Sequence, residues 1–410
     1  MSRSAAKWQK LPISLKELCI DTTLRCGQSF RWRKFDDEWR CSLHGRIVSL
    51  KQDADFLYYK ATFPDNRAAV AASKEKGSVS LRNHSVDEDT ETLLRGYFQL
   101  QLDLGKLYDQ WSRDDANFRK KAPAFCGIRI LNQDAWEALI CFICSSNNNI
   151  SRISQMAQKL CTHYGPFLGT IDGEAFHDFP TPAALAAPSV EAHLRQLGFG
   201  YRAKYIVQTA HTLSMDRPEG WLEQLRNPSC PPPGQSSSLK APAQKDDCTP
   251  SYKTSHEQLL LLSGVGPKVA DCVALMGLGW GEAVPVDTHV WQIAVRDYKF
   301  KKIASKTFSK AIHDMVGDHF RSLWGPYAGW AQSVLFTANL KSFSEEAKAE
   351  GGEKESVEAD TKMVTQIQEE EYKSEDIVTK RRRESVVKVE ENISMAKALE
   401  THTQIKRRRK

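Results

Sequence analysis

Lys268 and Asp287 are the residues of this chain whose types and setting best suit covalent chemistry. Lys268 lies in the run 259–276, Leu-Leu-Leu-Leu-Ser-Gly-Val-Gly-Pro-Lys-Val-Ala-Asp-Cys-Val-Ala-Leu-Met, and Asp287 follows an apolar Val-Pro-Val segment. A primary amine with a reference pKa of about 10.4 is mostly protonated at neutral pH and cannot attack carbon. It becomes a nucleophile where desolvation or neighbouring charge lowers that value. A nearby carboxylate can hold its geometry and stabilise positive charge as a leaving group departs. Each residue also has a plainer reading. Lys268 could pair with a phosphate, and Asp287 is well placed to cap a helix through Val290, Trp291, Ile293 and Ala294.

The two residues need elements to hold them. One apolar helix is expected to end at Gly264-Val265-Gly266 and a second to begin at Pro267, with both glycines allowing a tight bend with φ > 0. Free N–H groups at the start of the second helix form a phosphate site, which Lys268 would face. A helix-hairpin-helix of this kind implies sequence-independent duplex binding, a purely structural turn being the other reading. Residues 1–125 predict a mixed α/β domain with an antiparallel sheet, from aromatic and β-branched runs at 29–32, 39–43, 47–50 and 56–60. Residues 74–89 are polar and predict a surface loop between sheet elements. From about Asp134 the spacing turns helical. Trp136, Leu139, Ile140 and Ile143 form one stripe, and Ile150, Ile153, Met156 and Leu160 another. Residues 126–343 therefore predict a helical domain, interrupted at about 227–251 by a Pro/Ser/Lys-rich insertion expected to be disordered. Residues 344–410 predict a disordered charged tail. Its basic clusters at 380–383 and 406–410 suit nuclear import or nucleic-acid contact, or are simply solvated charge.

Composition bounds the rest. A chain of 410 residues suits two or three domains. It contains no run of about 18 apolar residues, which argues against a transmembrane helix, and its first residues lack an apolar signal core. The ten cysteines are scattered, and Cys141 and Cys144 lie in an apolar run that reads as buried helix. Reduced thiols in a soluble intracellular protein are expected rather than a disulfide framework. Residues 345–410 carry 15 Lys/Arg and 16 Asp/Glu, leaving 42 and 35 in the rest, a net +7 that permits an anionic partner without requiring one.

The hairpin, its lysine and the Pro-Val-Asp segment resemble the signature of the DNA glycosylase superfamily named for the hairpin and its Gly/Pro…Asp loop. Four further segments look like motifs of one branch of it, in that branch's order. They are Gly27-Gln28-Ser29-Phe30-Arg31-Trp32, Ser145-Ser146-Asn147-Asn148-Asn149-Ile150, Leu197-Gly198-Phe199-Gly200-Tyr201-Arg202-Ala203 and Trp324-Gly325-Pro326-Tyr327-Ala328-Gly329-Trp330-Ala331-Gln332. Over roughly residues 10–341, apart from the two polar insertions, the chain resembles the eukaryotic 8-oxoguanine DNA glycosylases, enzymes with associated DNA lyase activity. The resemblance implies an α+β fold: an N-terminal antiparallel β-sheet domain packed on an all-α helix-hairpin-helix body, completing a lesion pocket through Gly27.

It also implies roles. Lys268 would attack the deoxyribose C1′, expel the base and form a Schiff base, with β-elimination following, and Asp287 would orient the lysine and stabilise the oxocarbenium-like transition state. Phe336 and Cys272 would sandwich a flipped purine, and Gln332 would read its Watson–Crick edge. The Gly27 carbonyl would accept from N7–H, although a simple turn residue is its plain reading. Asn147, Arg152 and Arg202, with Tyr201 as a wedge, would occupy the gap and bond the orphaned cytosine, while an Asn-Asn-Asn run at a helix start is ordinarily capping. His289 would lie near the lesion's phosphate or be a surface group. Gly264 and Gly266 would approach the DNA backbone, and a cation on their carbonyls would assist phosphate contact. No metal or cofactor is needed for the chemistry. Damaged double-stranded DNA is the implied partner of a monomer without membrane association. The nucleus is the implied compartment, with mitochondrial delivery left open by a basic, acid-free start.

One departure stands out: the family resemblance implies an acidic residue at Asn339, helping to position His289. Rival enzymes fit less well. Cys272 is the last cysteine, so the four-cysteine iron–sulfur cluster of endonuclease III-like enzymes cannot form. Adenine-mismatch and alkylbase glycosylases generally lack the hairpin lysine. A thiol nucleophile at Cys272 and a catalytically silent DNA-binding module are the remaining alternatives.

Overall fold

Short strands, the central ones buried on both faces, build the first layer. The computed structural model describes residues 7–64, 86–235, 250–300, 310–340 and 343. Strands β1 (Gln9–Pro12), β2 (Arg33–Phe35), β3 (Glu38–Leu43), β4 (Arg46–Gln52) and β5 (Phe56–Thr62) form an antiparallel sheet in the order β1-β5-β4-β3-β2. Neighbouring side chains point to opposite faces. Val48 and Leu50 of β4 enter the main core with Trp32, Trp39, Tyr97, Phe98 and Leu131. Ile47 turns to the other face and meets Leu168 and Phe176.

The helices follow in chain order: α1 (Ile20–Thr23), α2 (Val86–Tyr97), α3 (Leu104–Asp114), α4 (Ala116–Lys121), α5 (Ala135–Ile143), α6 (Ile150–Tyr164), α7 (Pro182–Leu185), α8 (Pro188–Gln196) and α9 (Arg202–His211). After them come α10 (Tyr252–Leu259), α11 (Pro267–Met276), α12 (Thr288–Asp297), α13 (Lys310–Trp324) and α14 (Ala328–Asn339). The helix expected from Asp134 is α5, whose first turn Asp134 caps by accepting from Glu137 N–H. Apart from Glu137 it is apolar all round, and Leu139 to Ile143 are all buried. Sheet and helical body belong to one compact unit.

Four local expectations are corrected. Residues 29–32 are not a strand, and β2 starts at Arg33. Residues 86–89 open α2, which follows the completed sheet, while residues 74–85 lie outside the described set. The helical body also contains a strand pair, β6 (Phe167–Ile171) and β7 (Glu174–His177), joined through Asp172 and Gly173 at φ 52° and 82°. Finally, residues 227–235 are packed. Cys230 is buried, Asn227 N–H donates to the Leu278 carbonyl at 2.8 Å, and the Pro231 carbonyl accepts from Asn132 at 2.8 Å. At its far end Ser251 caps the next helix, while residues 236–249 and the tail from 344 lie outside the described residues. The nine described cysteines carry free thiols.

Candidate active site

A capping box at Ser251 and Thr254 starts α10. The chain then turns at Gly264, where φ is +76° and a Cβ would sit 2.6 Å from Tyr205 Cβ, so only glycine fits. Gly266 was expected to share that conformation but is extended at φ −96° and serves as N-cap of α11. Pro267 opens that helix and Lys268 follows. The lysine was expected to face whatever the hairpin holds, but it is directed elsewhere. Its Nζ donates to Ser145 Oγ at 3.3 Å and lies 5.3 Å from the Phe142 ring centre, on the side of a cleft. Three residues on, the fully buried Asp271 accepts from the Tyr252 hydroxyl at 2.6 Å, fixing α11 to α10, and its other oxygen lies 3.1 Å from His313 Nε2 of α13.

Asp287 is the N-cap of α12: its Oδ1 accepts from His289 N–H at 2.9 Å and Val290 N–H at 3.0 Å. The capping reading is therefore correct. Two backbone donors immobilise a carboxylate that lines the same cleft as Lys268.

That cleft, about 420 Å³ with its open mouth, brings Lys268 and Asp287 together with Gly27, Cys272, Gln332 and Phe336. Gly27 takes φ +86°, and a Cβ there would lie 3.0 Å from Ile150 Cδ1. Side chains that follow it tie this segment to the helical body. Gln28 donates to the Arg129 carbonyl at 2.8 Å and accepts from Leu131 N–H at 2.9 Å. Arg31 makes a buried, two-point pair with Glu137 of α5 at 2.8 and 2.5 Å. Gln332 is buried at 4% exposure on α14, and Phe336 stands one turn further along. Burial pushes the Cys272 thiol up to about 11, against the opposing pull of the Lys268 charge beside it. A neutral thiol at physiological pH is a poor nucleophile, which argues against the thiol rival.

His289 lies outside the cleft lining, with its ring edge-on to Phe336 at 6.1 Å between centres. The oxygen of Asn339 accepts from Arg296 Nη1 at 3.0 Å. Asn147, Arg152, Tyr201 and Arg202 gather in a second cluster beside the cleft. Asn147, at φ +45°, and Arg152 are exposed. Arg152 Nη2 donates to the Gly198 carbonyl at 3.4 Å. Arg202 donates to the Ser146 and Asn147 carbonyls and lies 4.6 Å from the Tyr201 ring centre.

Sequence reasoning singled out neither Ser145 nor Phe142 as partners of the lysine. Ser145 stood within a quoted motif, but only tertiary contact reveals its role. Among the described residues, no group of three or more His, Cys, Asp or Glu side chains could hold a metal ion. No helix there is long and apolar enough to cross a membrane.

Comparison with known proteins covers both halves. The family described as 8-oxoguanine DNA glycosylase, N-terminal domain, matches residues 10–139, and the HhH-GPD superfamily of base excision DNA repair proteins matches 140–316. An N-glycosylase/DNA lyase of Saccharomyces cerevisiae is 38% identical over 354 residues, spanning 82% of this chain and 86% of the relative. The N-glycosylase/DNA lyase OGG1 of Arabidopsis thaliana is 36% identical over 338 residues, with 82% and 80% covered. The solved structure of MBOgg1 with a low affinity DNA ligand has a TM-score of 0.62 at 24% identity, covering 83% of this chain and 100% of that one. The 8-oxoguanine glycosylase/lyase of Clostridium acetobutylicum in its apo-form gives 0.61 at 23% identity, covering 81% and 98%. Both support the fold. On these matches, this chain belongs to the 8-oxoguanine DNA glycosylase family, the N-glycosylase/DNA lyases of the HhH-GPD superfamily.

Proposed function

We propose that this protein is a bifunctional base-excision-repair enzyme that extrudes 8-oxoguanine paired with cytosine, removes it and cuts the strand at the abasic sugar. The observation that carries this reading is the meeting, in one cleft, of Lys268 and Asp287 with Gly27, Cys272, Gln332 and Phe336. Extrusion is required because C1′ and the base edge are shielded in the stack.

Lys268, as the free amine, attacks C1′. The base leaves with the bonding electron pair and takes up a proton, and opening of the sugar ring gives the Schiff base. Loss of a C2′ proton then expels the 3′ phosphate by β-elimination. Asp287 stabilises the positive charge developing at C1′. The amine is both nucleophile and electron sink, so no cofactor takes part. The Gly27 carbonyl accepts from the N7–H of the oxidised base, where guanine offers only a lone pair, and this mismatch supplies discrimination. Phe336 and the neutral Cys272 thiol cover the purine faces, and Gln332 bonds its Watson–Crick edge.

Asn147, Arg152 and Arg202 serve the orphaned cytosine, with Tyr201 as wedge. His289 and the Gly264/Gly266 hairpin serve phosphates. A hairpin cation would assist that contact only. The Gly266 carbonyl already accepts from Ala270 N–H at 2.9 Å and retains a second lone pair. The reading includes a monomer acting in the nucleus, with a mitochondrial form left open, and a division into domains near residue 125. The test is release of 8-oxoguanine and strand nicking on a duplex carrying the lesion opposite cytosine. The unsubstituted protein does both and Lys268→Gln does neither. Binding without release by the unsubstituted protein would leave a DNA-binding module instead.

A further inference from the structure

The turn at residues 145–149 touches both clusters. On one side, Ser145 Oγ donates its hydrogen to the Phe142 carbonyl at 2.7 Å. With that hydrogen committed, the oxygen meets Lys268 as an acceptor, and Nζ donates to it at 3.3 Å. An amine that gives one N–H to a fixed oxygen has its remaining directions, lone pair included, set relative to the cleft. On the other side, the Ser146 and Asn147 carbonyls accept the Arg202 guanidinium, and the Tyr201 hydroxyl donates to the Ser146 carbonyl at 3.2 Å. Arg202 is buried, and its Nε–H has no hydrogen-bond partner. Asn147 holds a left-handed φ of +45°. A buried guanidinium with an unspent donor, next to a residue in a sparsely populated conformation, is poised to exchange its carbonyl partners for better acceptors.

We propose that this turn is a relay between the base opposite the lesion and the nucleophile. The N3 and O2 acceptors of an orphaned cytosine draw Arg202 away from the Ser146 and Asn147 carbonyls. The turn then resettles, and Ser145 brings the Lys268 amine into line with C1′. Ser145 is thus a positioning residue, and the opposite base governs the rate of excision as well as the tightness of binding. The inference rests on the glycosylase reading above.

Its test is single-turnover excision by the unsubstituted protein, Ser145→Ala and Ser145→Thr, on lesion duplexes with cytosine or adenine opposite. Duplex Kd and melting temperature are measured alongside. Misplacing a reacting group slightly costs orders of magnitude, so Ser145→Ala is expected to lose about tenfold or more with cytosine and under about threefold with adenine. Its Kd should stay within about twofold, and Ser145→Thr, which keeps the hydroxyl, should recover most of the cytosine rate. Equal losses on both duplexes would overturn the relay. An unchanged Ser145→Ala rate, or no recovery in a folded Ser145→Thr, would overturn the role of the hydroxyl. Should Ser145→Ala fail to fold, Ser145→Cys, which puts a weaker acceptor in the same place, replaces it: a loss confined to the cytosine duplex supports the relay, and an equal loss on both duplexes or none on either refutes it. Absence of excision by the unsubstituted protein would instead overturn the glycosylase reading itself.

Discussion

The lesion cleft and the neighbouring turn at 145–149 are built on opposite plans. In the cleft the backbone and the carboxylate are fixed from outside. Gln28 and Arg31 sew the Gly27 segment to the helical body, two backbone donors hold Asp287, and Asp271 locks the helix that carries Lys268. In the turn, Asn147 and Arg152 are exposed, and Arg202 is engaged with backbone carbonyls. Bond-making chemistry needs groups that do not reorganise during the reaction. Reading a base that appears only after the duplex opens needs groups that can change partners. The difference separates substitutions that act on chemistry from those that act on pairing selectivity.

Asp287→Asn gives the largest contrast. Asparagine caps a helix as well as aspartate, so the melting midpoint should shift by the equivalent of under about 0.5 kcal/mol. Excision should fall about 100- to 1,000-fold, as when one transition-state stabiliser is removed. Parallel losses of stability and activity would reduce Asp287 to a cap. Gly27→Ala comes next: a left-handed φ and the 3.0 Å approach to Ile150 Cδ1 should cost about 1–3 kcal/mol in denaturant unfolding. Excision should fall further than duplex binding does. A substitution that left both unchanged would show that the rigidity of this wall is not needed.

On the turn, Arg152→Ala should leave stability within about 0.5 kcal/mol, since the residue is exposed, while Asn147→Ala should cost about 1 kcal/mol because alanine disfavours its φ of +45°. Each should narrow the preference for cytosine by about tenfold, the worth of one base contact. Uniform loss across all opposite bases would assign them to phosphate instead. The smallest effect concerns Cys272. Its alkylation by iodoacetamide should have a pH midpoint near 11 and be slow at neutral pH. The sign for stability follows. Burial raises the folded value above the unfolded one, so this contribution is intact below the free-thiol value of 9.0 and is lost as pH rises towards 11. A midpoint near 9 would reopen the cleft's thiol chemistry.

Much of this was legible before the structure. The strands at 39–43, 47–50 and 56–60 came from alternation, and the hairpin, its lysine and the capping aspartate from local residue types. What escaped has physical reasons. Residues 29–32 alternate polar and aromatic like a strand, but Arg31 and Trp32 are spent on Glu137 and on the core, not on a ladder. Residues 227–235 look disordered by composition, yet single anchors such as Cys230 and Asn227 suffice to pack them. The β6–β7 pair had a readable signal in its Asp172-Gly173 turn, which helical expectation for that half concealed. Ser145 meets Lys268 across 123 positions of sequence, a contact that no local pattern encodes.

The central claim is that Lys268 becomes covalently joined to the sugar. Borohydride reduction during reaction with a duplex bearing 8-oxoguanine opposite cytosine, followed by peptide mapping, tests it most directly. The account predicts a stable protein–DNA adduct on Lys268 that disappears in Lys268→Gln. Base release with no adduct, or an adduct on another residue, would contradict it.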